Sequence, residues 1–408
     1  MAAQNARTRI VVFTQFYPPE ATAASNRVSA VARALSQAGN AVTVVTGLPS
    51  FPDGIVPASH LDHARRRERD GAIDIRRVST YASPRLRTID RLLNWLSVAF
   101  GATLYALLSR EPIDVVLVSS PPISLAMPAL VASMLHRARL VVDVRDVYPD
   151  VAIKLGVWKR NSAIARIVGA VADLLYRRAS LILTVTETCR REVLARGVPP
   201  EKVVTAPNGF DRLDAIVATP MERQPGEFVI AYAGNMGVAT GVGVVLDAAQ
   251  HLRSDPKYRF VLVGGGADGD GVSRRIADER LNNVVLLGPQ SRVVAAAVMA
   301  RADVCVVPLK RGVIDSLPTK LFDALAQGTP VIVCAEGEAR DFIVRSGGGL
   351  AVDAEDGQAL AAAIGSLAAD QPLRQSLANS GQAYVTEHYD RANVVADISR
   401  RIAALSVP

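Results

Sequence analysis

Short runs of unbroken apolar residues alternate with stretches of helical periodicity along almost the whole chain. In the first half, Arg9–Thr14, Ala41–Thr46, Val115–Val118, Leu140–Val144 and Leu181–Val185 have the length of strands. Between them apolar residues recur at helical spacing, as over Asn26–Ala38 and Pro122–Leu135. A strand that is apolar throughout has no face to offer water, so these strands belong to a parallel sheet covered by helices on both sides. The pattern stops at the turn Pro207-Asn208-Gly209-Phe210-Asp211, and polar sequence continues to Gly226. It then restarts with Phe228–Tyr232, Arg259–Val263, Val284–Leu287, Val304–Val307 and Val331–Cys334. The expectation is an α/β chain of two doubly wound Rossmann-like domains, residues 1–212 and 213–388. A helical tail, 389–408, crosses back to brace the first. Two such sheets side by side face across a cleft, with ligands at the carboxyl ends of the strands.

One segment has too many apolar positions for a surface helix. Leu92 to Leu108 is almost continuously apolar between Arg91 and Arg110, yet it contains Asn94, Ser97 and Gly101. It falls slightly short of the roughly 20 residues a membrane span needs. A buried core helix is the first expectation and a helix lying on a membrane surface the second.

Composition sharpens the picture in three places. At 408 residues, 50% hydrophobic and 21% charged, the chain can fill two globular cores. The net charge of +7 gathers in the first half, at Arg65-Arg66-Arg67, Arg76-Arg77, Arg85, Arg87, Arg91 and Arg177-Arg178. That bias suits anionic headgroups or pyrophosphate-linked acceptors, with a merely solvated surface as the plain alternative. No interleaved aromatic residues accompany the arginines, which argues against nucleic acid. Cys189, Cys305 and Cys334 lie apart in apolar runs and read as buried thiols of a reducing compartment. The five histidines have no metal-ligand spacing, and the start of the chain lacks the apolar centre of a signal peptide. A cytoplasmic protein without a metal or other cofactor is expected.

The richest stretch runs from Val307 to Pro330. A strand ends at Pro308, a loop follows, and a helix begins near Pro318, where proline suits the first turn. The unpaired N–H groups of such a start form an anion site. Leu321, Phe322 and Leu325 fall on one face and belong to the core, while Lys320, Asp323 and Gln327 fall on the other. Ser316, Leu317, Pro318, Thr319 and Lys320 can therefore take a diphosphate. Asp323, a turn deeper, is placed to accept hydrogen bonds from a ribose diol, and Asp315 would face what lies beyond the diphosphate. An ordinary amphipathic helix with a surface Lys–Asp pair remains the competing reading.

The whole stretch resembles the signature of retaining glycosyltransferase family 4. In that signature two acidic residues, separated by seven others, precede a segment like Ala324-Leu-Ala-Gln-Gly-Thr-Pro330. Asp315 and Asp323 stand where the family has glutamates, and the resemblance implies that the first touches the donor sugar and the second holds the ribose. Phe16-Tyr17-Pro-Pro-Glu20-Ala-Thr-Ala23-Ala24-Ser25-Asn26-Arg27 is similar to the family's first loop, which approaches diphosphate and donor sugar. Ala23-Ala24 replaces the usual glycine pair there. Asp143-Val-Arg145-Asp146-Val-Tyr-Pro-Asp150 and Tyr232-Ala-Gly234-Asn235-Met-Gly237 match as well.

Together these segments look most like the bacterial L-fucosamine or fucose transferases that build surface polysaccharides. The resemblance implies a GT-B fold and a UDP-linked donor, with UDP-N-acetyl-L-fucosamine as a candidate. It also implies a polyprenyl-pyrophosphate-linked glycan acceptor, and work at the inner face of the membrane without a metal. Arg145, Tyr17 and Arg27 are then expected on the acceptor side, with Asp146 supplying polarity or taking the acceptor's proton. Gly234, Asn235, Gly237, Ala23 and Ala24 are expected around the donor.

Two departures stand out. Arg145-Asp146 occupies a segment where family members usually carry a histidine, and Asn235 and Thr240 replace a basic pair that binds diphosphate. Lys320, Arg311 and backbone amides are left to do so. Gly264-Gly265-Gly266 resembles a dinucleotide loop but reads better as a turn, and Asp268-Gly-Asp270 is expected to be a turn rather than a metal site. A nucleotide-sugar epimerase and a non-catalytic nucleotide-binding component of a polysaccharide assembly complex are the rival functions.

Overall fold

The computed structural model describes residues 7–20, 22–61, 67–85, 87–154, 156–213, 219–237 and 239–405. The chain divides into two units, Met1–Asn208 with Val394–Pro408, and Gly209–Asn393. Of the arginine run in the first, Arg65 and Arg66 lie outside the described residues.

The first unit runs β1 (Arg9–Phe13), α1 (Ala23–Gln37), β2 (Ala41–Gly47), α2 (Ala58–Leu61), β3 (Arg67–Asp70), β4 (Ile73–Val78), α3 (Thr88–Leu108), β5 (Val115–Ser120), α4 (Ala126–Leu135), β6 (Arg139–Val144), α5 (Asp150–Lys154), α6 (Ala163–Arg178), β7 (Leu181–Thr184), α7 (Glu187–Leu194) and β8 (Val203–Thr205). Its eight-stranded sheet has the order β3-β4-β2-β1-β5-β6-β7-β8, parallel except for β3 against β4. Neighbouring residues of each strand enter opposite cores. Val11 and Phe13 join a layer with α3, α4, α6 and α7, while Ile10 and Val12 join one with α1. β3 and β4 were not foreseen. Their arginines and aspartates look like a solvated loop in the sequence, yet Arg77 of β4 is buried together with Ile73 and Ile75.

The second unit runs β9 (Phe228–Ala233), α8 (Gly243–Leu252), β10 (Tyr258–Val263), α9 (Gly269–Asp278), β11 (Val284–Gly288), α10 (Arg292–Arg301), β12 (Val304–Pro308), α11 (Thr319–Ala326), β13 (Val331–Cys334), α12 (Gly337–Ser346), β14 (Gly349–Val352), α13 (Gly357–Ala369) and α14 (Gln371–His388), and leads into α15 (Arg391–Leu405). Its parallel sheet has the order β11-β10-β9-β12-β13-β14. One face packs against α8, α9 and α13, the other against α10, α11, α12 and α14. From Val394 onward α15 belongs to the first unit, where Val394, Ile398 and Ile402 close the layer that holds α1. Cys189, Cys305 and Cys334 are all buried, as expected, and none is in a disulfide among the described residues.

α3 corrects the first expectation for its segment. Val98, Ala99, Ala102 and Ala106 face the core, and small side chains let the helix lie close to the sheet. The larger apolar residues Leu93, Leu96, Phe100, Leu104 and Leu107 point outward and are exposed, Phe100 to 69%. Among the described residues it is the one helix long and apolar enough to cross a membrane. α4 packs beside α3, and α6 beside α4. Met127 and Met134 of α4 and Ile164, Ile167 and Leu174 of α6 continue the exposed apolar surface.

Candidate functional site

Three loops at the carboxyl ends of β9, β10 and β12 make the donor-side candidate. β9 ends in Gly234, whose φ of +148° favours glycine, and Gly264 after β10 has φ +133°. A Cβ on Gly264 would lie 1.9 Å from the Gly234 carbonyl oxygen, so the two turns pack backbone to backbone. Met236 N–H donates to the Gly265 carbonyl at 2.7 Å, and Asp268 N–H to the Met236 carbonyl at 2.8 Å. The glycine run is thus a close-packed turn that shapes the neighbouring loop. Asp268 and Asp270 differ from the expected loose turn: Asp268 caps α9 and Asp270 lies in its first turn.

α11 starts behind this loop. Its N-cap, Pro318, supplies no side-chain cap, and of the first-turn N–H groups that of Leu321 donates back to the Pro318 carbonyl at 3.0 Å. Leu321, Phe322 and Leu325 are buried as expected. Lys320 lies beside Gly234, with Nζ 3.5 Å from where a Gly234 Cβ would stand. Nζ sits 4.5 Å from the centroid of the Tyr232 ring and donates to its hydroxyl at 3.2 Å. The hydroxyl in turn donates to the Asn235 carbonyl at 2.7 Å. No ion pair of Lys320 occurs among the described residues, and burial pulls its ammonium down to about 8.

Lys320 and Asp323 do not form the helix-surface pair that their spacing suggests. Asp323 faces Arg292 of α10 instead, at 3.8 Å. Burial pushes its carboxyl up to about 6 against the pull of Arg292 and Arg391. Asp315, Ser316, Leu317 and Thr319 line the approach to the helix as half-buried residues. Asn235 is exposed and Gly237 half-buried on the loop after β9. Arg311 is turned elsewhere, donating to the Ala354 carbonyl at 3.3 Å with Glu355 at 3.9 Å. The cation beside the β9–α8 loop is Lys310, which sequence reasoning passed over. Its N–H donates to the Ala239 carbonyl at 3.1 Å, and it lines a cavity of about 480 Å³ with Gly241, Arg274 and Arg275.

In the first unit, Arg145 and Asp146 follow β6 at the carboxyl edge. Arg145 donates to the Pro121 carbonyl at 2.7 Å, while its Nε and the buried hydroxyls of Ser119 and Ser120 have no hydrogen-bond partner among the described residues. The serines carry no sequence signal, since they complete an apolar strand. Asp146 has an exposed surface, but the protein crowded around it holds its carboxyl above the ordinary value, opposed by Arg145.

Two acceptor-side expectations are corrected here. Tyr17 is fully buried, with its hydroxyl donating to Asp70 at 3.2 Å. Arg27 is buried in a fork on Asp143, 2.7 Å at the shortest, and donates to the Pro207 carbonyl at 2.8 Å. Both hold loops in place and present no surface to a substrate. Ala23 is exposed and Ala24 buried at the start of α1, where the Thr22 side chain caps Ser25 N–H at 3.0 Å.

Known proteins align with both units. Residues 220–384 match the family described as "Glycosyl transferases group 1", and residues 22–209 match the "Glycosyl transferase 4-like domain". The chain is 25% identical over 347 residues to WcaI of Escherichia coli (strain K12), described as a colanic acid biosynthesis glycosyl transferase. That match spans 80% of this chain and 83% of the relative. Among solved structures, Anabaena HepE in complex with UDP superimposes with a TM-score of 0.68 at 17% identity, covering 97% of this chain and all of HepE. Sucrose-phosphate synthase from Thermosynechococcus elongatus gives 0.72 at 18% identity, covering 98% and 99%. At these identities the likeness is one of fold, and the fold is GT-B.

Proposed function

The chain belongs to the group 1 glycosyltransferases, and from that premise we propose that it transfers a sugar from a UDP-sugar to a lipid-linked glycan during surface-polysaccharide synthesis. The carrying observation is Lys320: a half-buried ammonium at a helix start, without an ion pair among the described residues, beside a glycine loop. A diphosphate fits that chemistry, since helix amides and one ammonium together neutralise it. Asp323 would accept the ribose hydroxyls, and Asp315 would face the sugar. HepE, of the same fold, holds UDP, which favours uracil as the base.

UDP-N-acetyl-L-fucosamine is the donor we put forward, on the motif resemblance, with retention of configuration and no metal requirement on the same ground. The description of WcaI supports a polysaccharide product. Asp146 and Arg145, which follow β6 beside Ser119 and Ser120 of β5, would handle the acceptor hydroxyl. Removal of its proton by a carboxylate raised above the ordinary range is sound general-base chemistry.

A lipid-linked acceptor needs a membrane contact, and the exposed face of α3, α4 and α6 is suited to one. Arg85, Arg87 and Arg91 stand at one end of α3 and Arg110 at the other, all exposed, as are Arg166, Arg177 and Arg178 on α6. Apolar side chains edged by arginine fit the boundary of an anionic bilayer.

Calorimetric titration with UDP, GDP and NADH tests the donor assignment, on the parent chain and on Lys320→Ala and Asp323→Ala. UDP binding that both variants lose supports it. Preference for another nucleotide overturns the choice of donor and leaves the fold untouched. Turnover of donor without acceptor would favour an epimerase instead.

A further inference from the structure

Resting on the reading of Asp323 as the acceptor of the donor ribose, we propose that Arg292 is its positioning residue, itself held by Asp211 and Arg391. The four side chains alternate in sign. Arg292 Nη1 meets Asp211 Oδ2 at 2.7 Å, and Asp211 Oδ1 meets Arg391 Nε at 3.3 Å. Arg391 is fixed in turn, donating through Nη2 to the Gly209 carbonyl at 3.0 Å and through its N–H to the Phe210 carbonyl at 3.0 Å. At the other end Arg292 Nη2 stands 3.8 Å from Asp323 Oδ1.

That last distance carries the argument. It is an ion pair without a closed hydrogen bond, so both carboxylate oxygens keep lone pairs for two ribose hydroxyls. Had Arg292 gripped Asp323 with its full fork, the carboxylate would be turned inward and occupied. Asp211 draws the guanidinium off by the short contact it makes itself. The result is a carboxylate kept charged by a cation that does not compete for its acceptor sites.

Electrostatics agrees with this division. Burial raises the Asp323 carboxyl, Arg292 and Arg391 pull it down, and Asp211 adds to the rise. Other charged groups nearby are engaged elsewhere. Lys320, on the same helix, bonds to Tyr232, and His388 on the adjoining α14 faces Glu387 at 3.9 Å and the Tyr384 ring. Nothing in the sequence links Arg292 to Asp323, since the two are joined only by the packing of α10 on α11.

The test is UDP affinity of the full chain across pH, by calorimetry, for the parent and for Arg292→Ala, Arg292→Lys, Asp211→Asn and Asp323→Ala. Arg292→Ala is expected to weaken binding about threefold near about pH 6.5, to approach about tenfold at lower pH and to recover as pH rises, the effect of moving one pKa by about a unit. Arg292→Lys should restore most of the affinity. Asp211→Asn should move the pH midpoint the opposite way, toward acid, which loss of packing would not do. An unchanged profile in Arg292→Ala, or an equal loss at every pH, overturns the proposal. Full UDP binding by Asp323→Ala would instead sink the ribose reading beneath it, so the two failures are separable. Should Arg292→Ala fail to fold, the lysine and Asp211→Asn variants carry the same comparison.

Discussion

The ammonium of Lys320 lies 4.5 Å above the ring of Tyr232 and donates to that ring's hydroxyl, which fixes a cation at the mouth of α11 with no ion-pair partner among the described residues. Contact with the ring face offsets part of the cost of desolvating the charge. The ring itself is buried in the core and its hydroxyl is held by Asn235, so the ammonium is located by the fold rather than by a ligand.

Donor binding should therefore follow a bell in pH. Lys320 must be protonated and titrates at about 8, while Asp323 must be ionised and titrates at about 6. UDP affinity of the free enzyme is expected to be highest between these values and to fall on both sides. An anion next to Lys320 raises its pKa, so binding above about pH 8 takes up protons. Calorimetry in buffers of different ionisation enthalpy reads that uptake directly, and Lys320→Met should abolish it.

Stability and function should pull in opposite directions at Asp323. Its folded pKa is raised above the unfolded value, so its contribution is fully present below the unfolded pKa and lost as pH rises through about 6. Asp323→Asn removes the buried charge and is expected to stabilise the chain near pH 8 by roughly 1–2 kcal/mol, with little change near pH 4. Thermal melts at the two pH values check the sign, and UDP titration should show the same variant weakened.

Gly264→Ala should cost both stability and donor affinity. The new Cβ would meet the Gly234 carbonyl oxygen at 1.9 Å, in a backbone conformation that side chains rarely adopt. Strain of on the order of 1–3 kcal/mol is expected before the clash is relieved. Relief displaces Gly234, against which Lys320 lies. A melt that drops with UDP affinity intact would separate the loop from the site.

Asp146→Asn should lower turnover by roughly two orders of magnitude while leaving UDP binding unchanged, if the carboxylate takes the acceptor's proton. Normal turnover with normal acceptor affinity would remove Asp146 from the chemistry.

Phe100→Asp with Leu104→Asp should abolish co-sedimentation with anionic liposomes and leave the melting temperature nearly unchanged, because both side chains are exposed. Binding by the parent chain should weaken with salt as arginine–headgroup attraction is screened. No binding by the parent at low salt would retire the membrane contact.

The sheet strands were legible because apolar runs covered on both faces have no other home, and Phe228 to Ala233 is an example. The edge pair β3 and β4 was not, since an edge with one solvated face reads as charged loop. The helix start at Pro318 could be read from proline and from the face bearing Leu321, Phe322 and Leu325. The partners of its polar face could not. Tyr232 and Arg292 reach Lys320 and Asp323 from other elements, by tertiary packing alone. Tyr17 and Arg27 show the reverse: polar residues in a motif-like loop that the fold consumes for its own support.

The closing helix sets an order of assembly. Val394, Ile398 and Ile402 fill a core otherwise made by residues from the first half of the chain. On the ribosome, that half must wait through the synthesis of the entire second unit before its last apolar surface is covered. A chain released early would carry a finished second unit beside an unfinished first one, with bare hydrophobic surface for quality control to seize. Completeness is thus checked by folding itself.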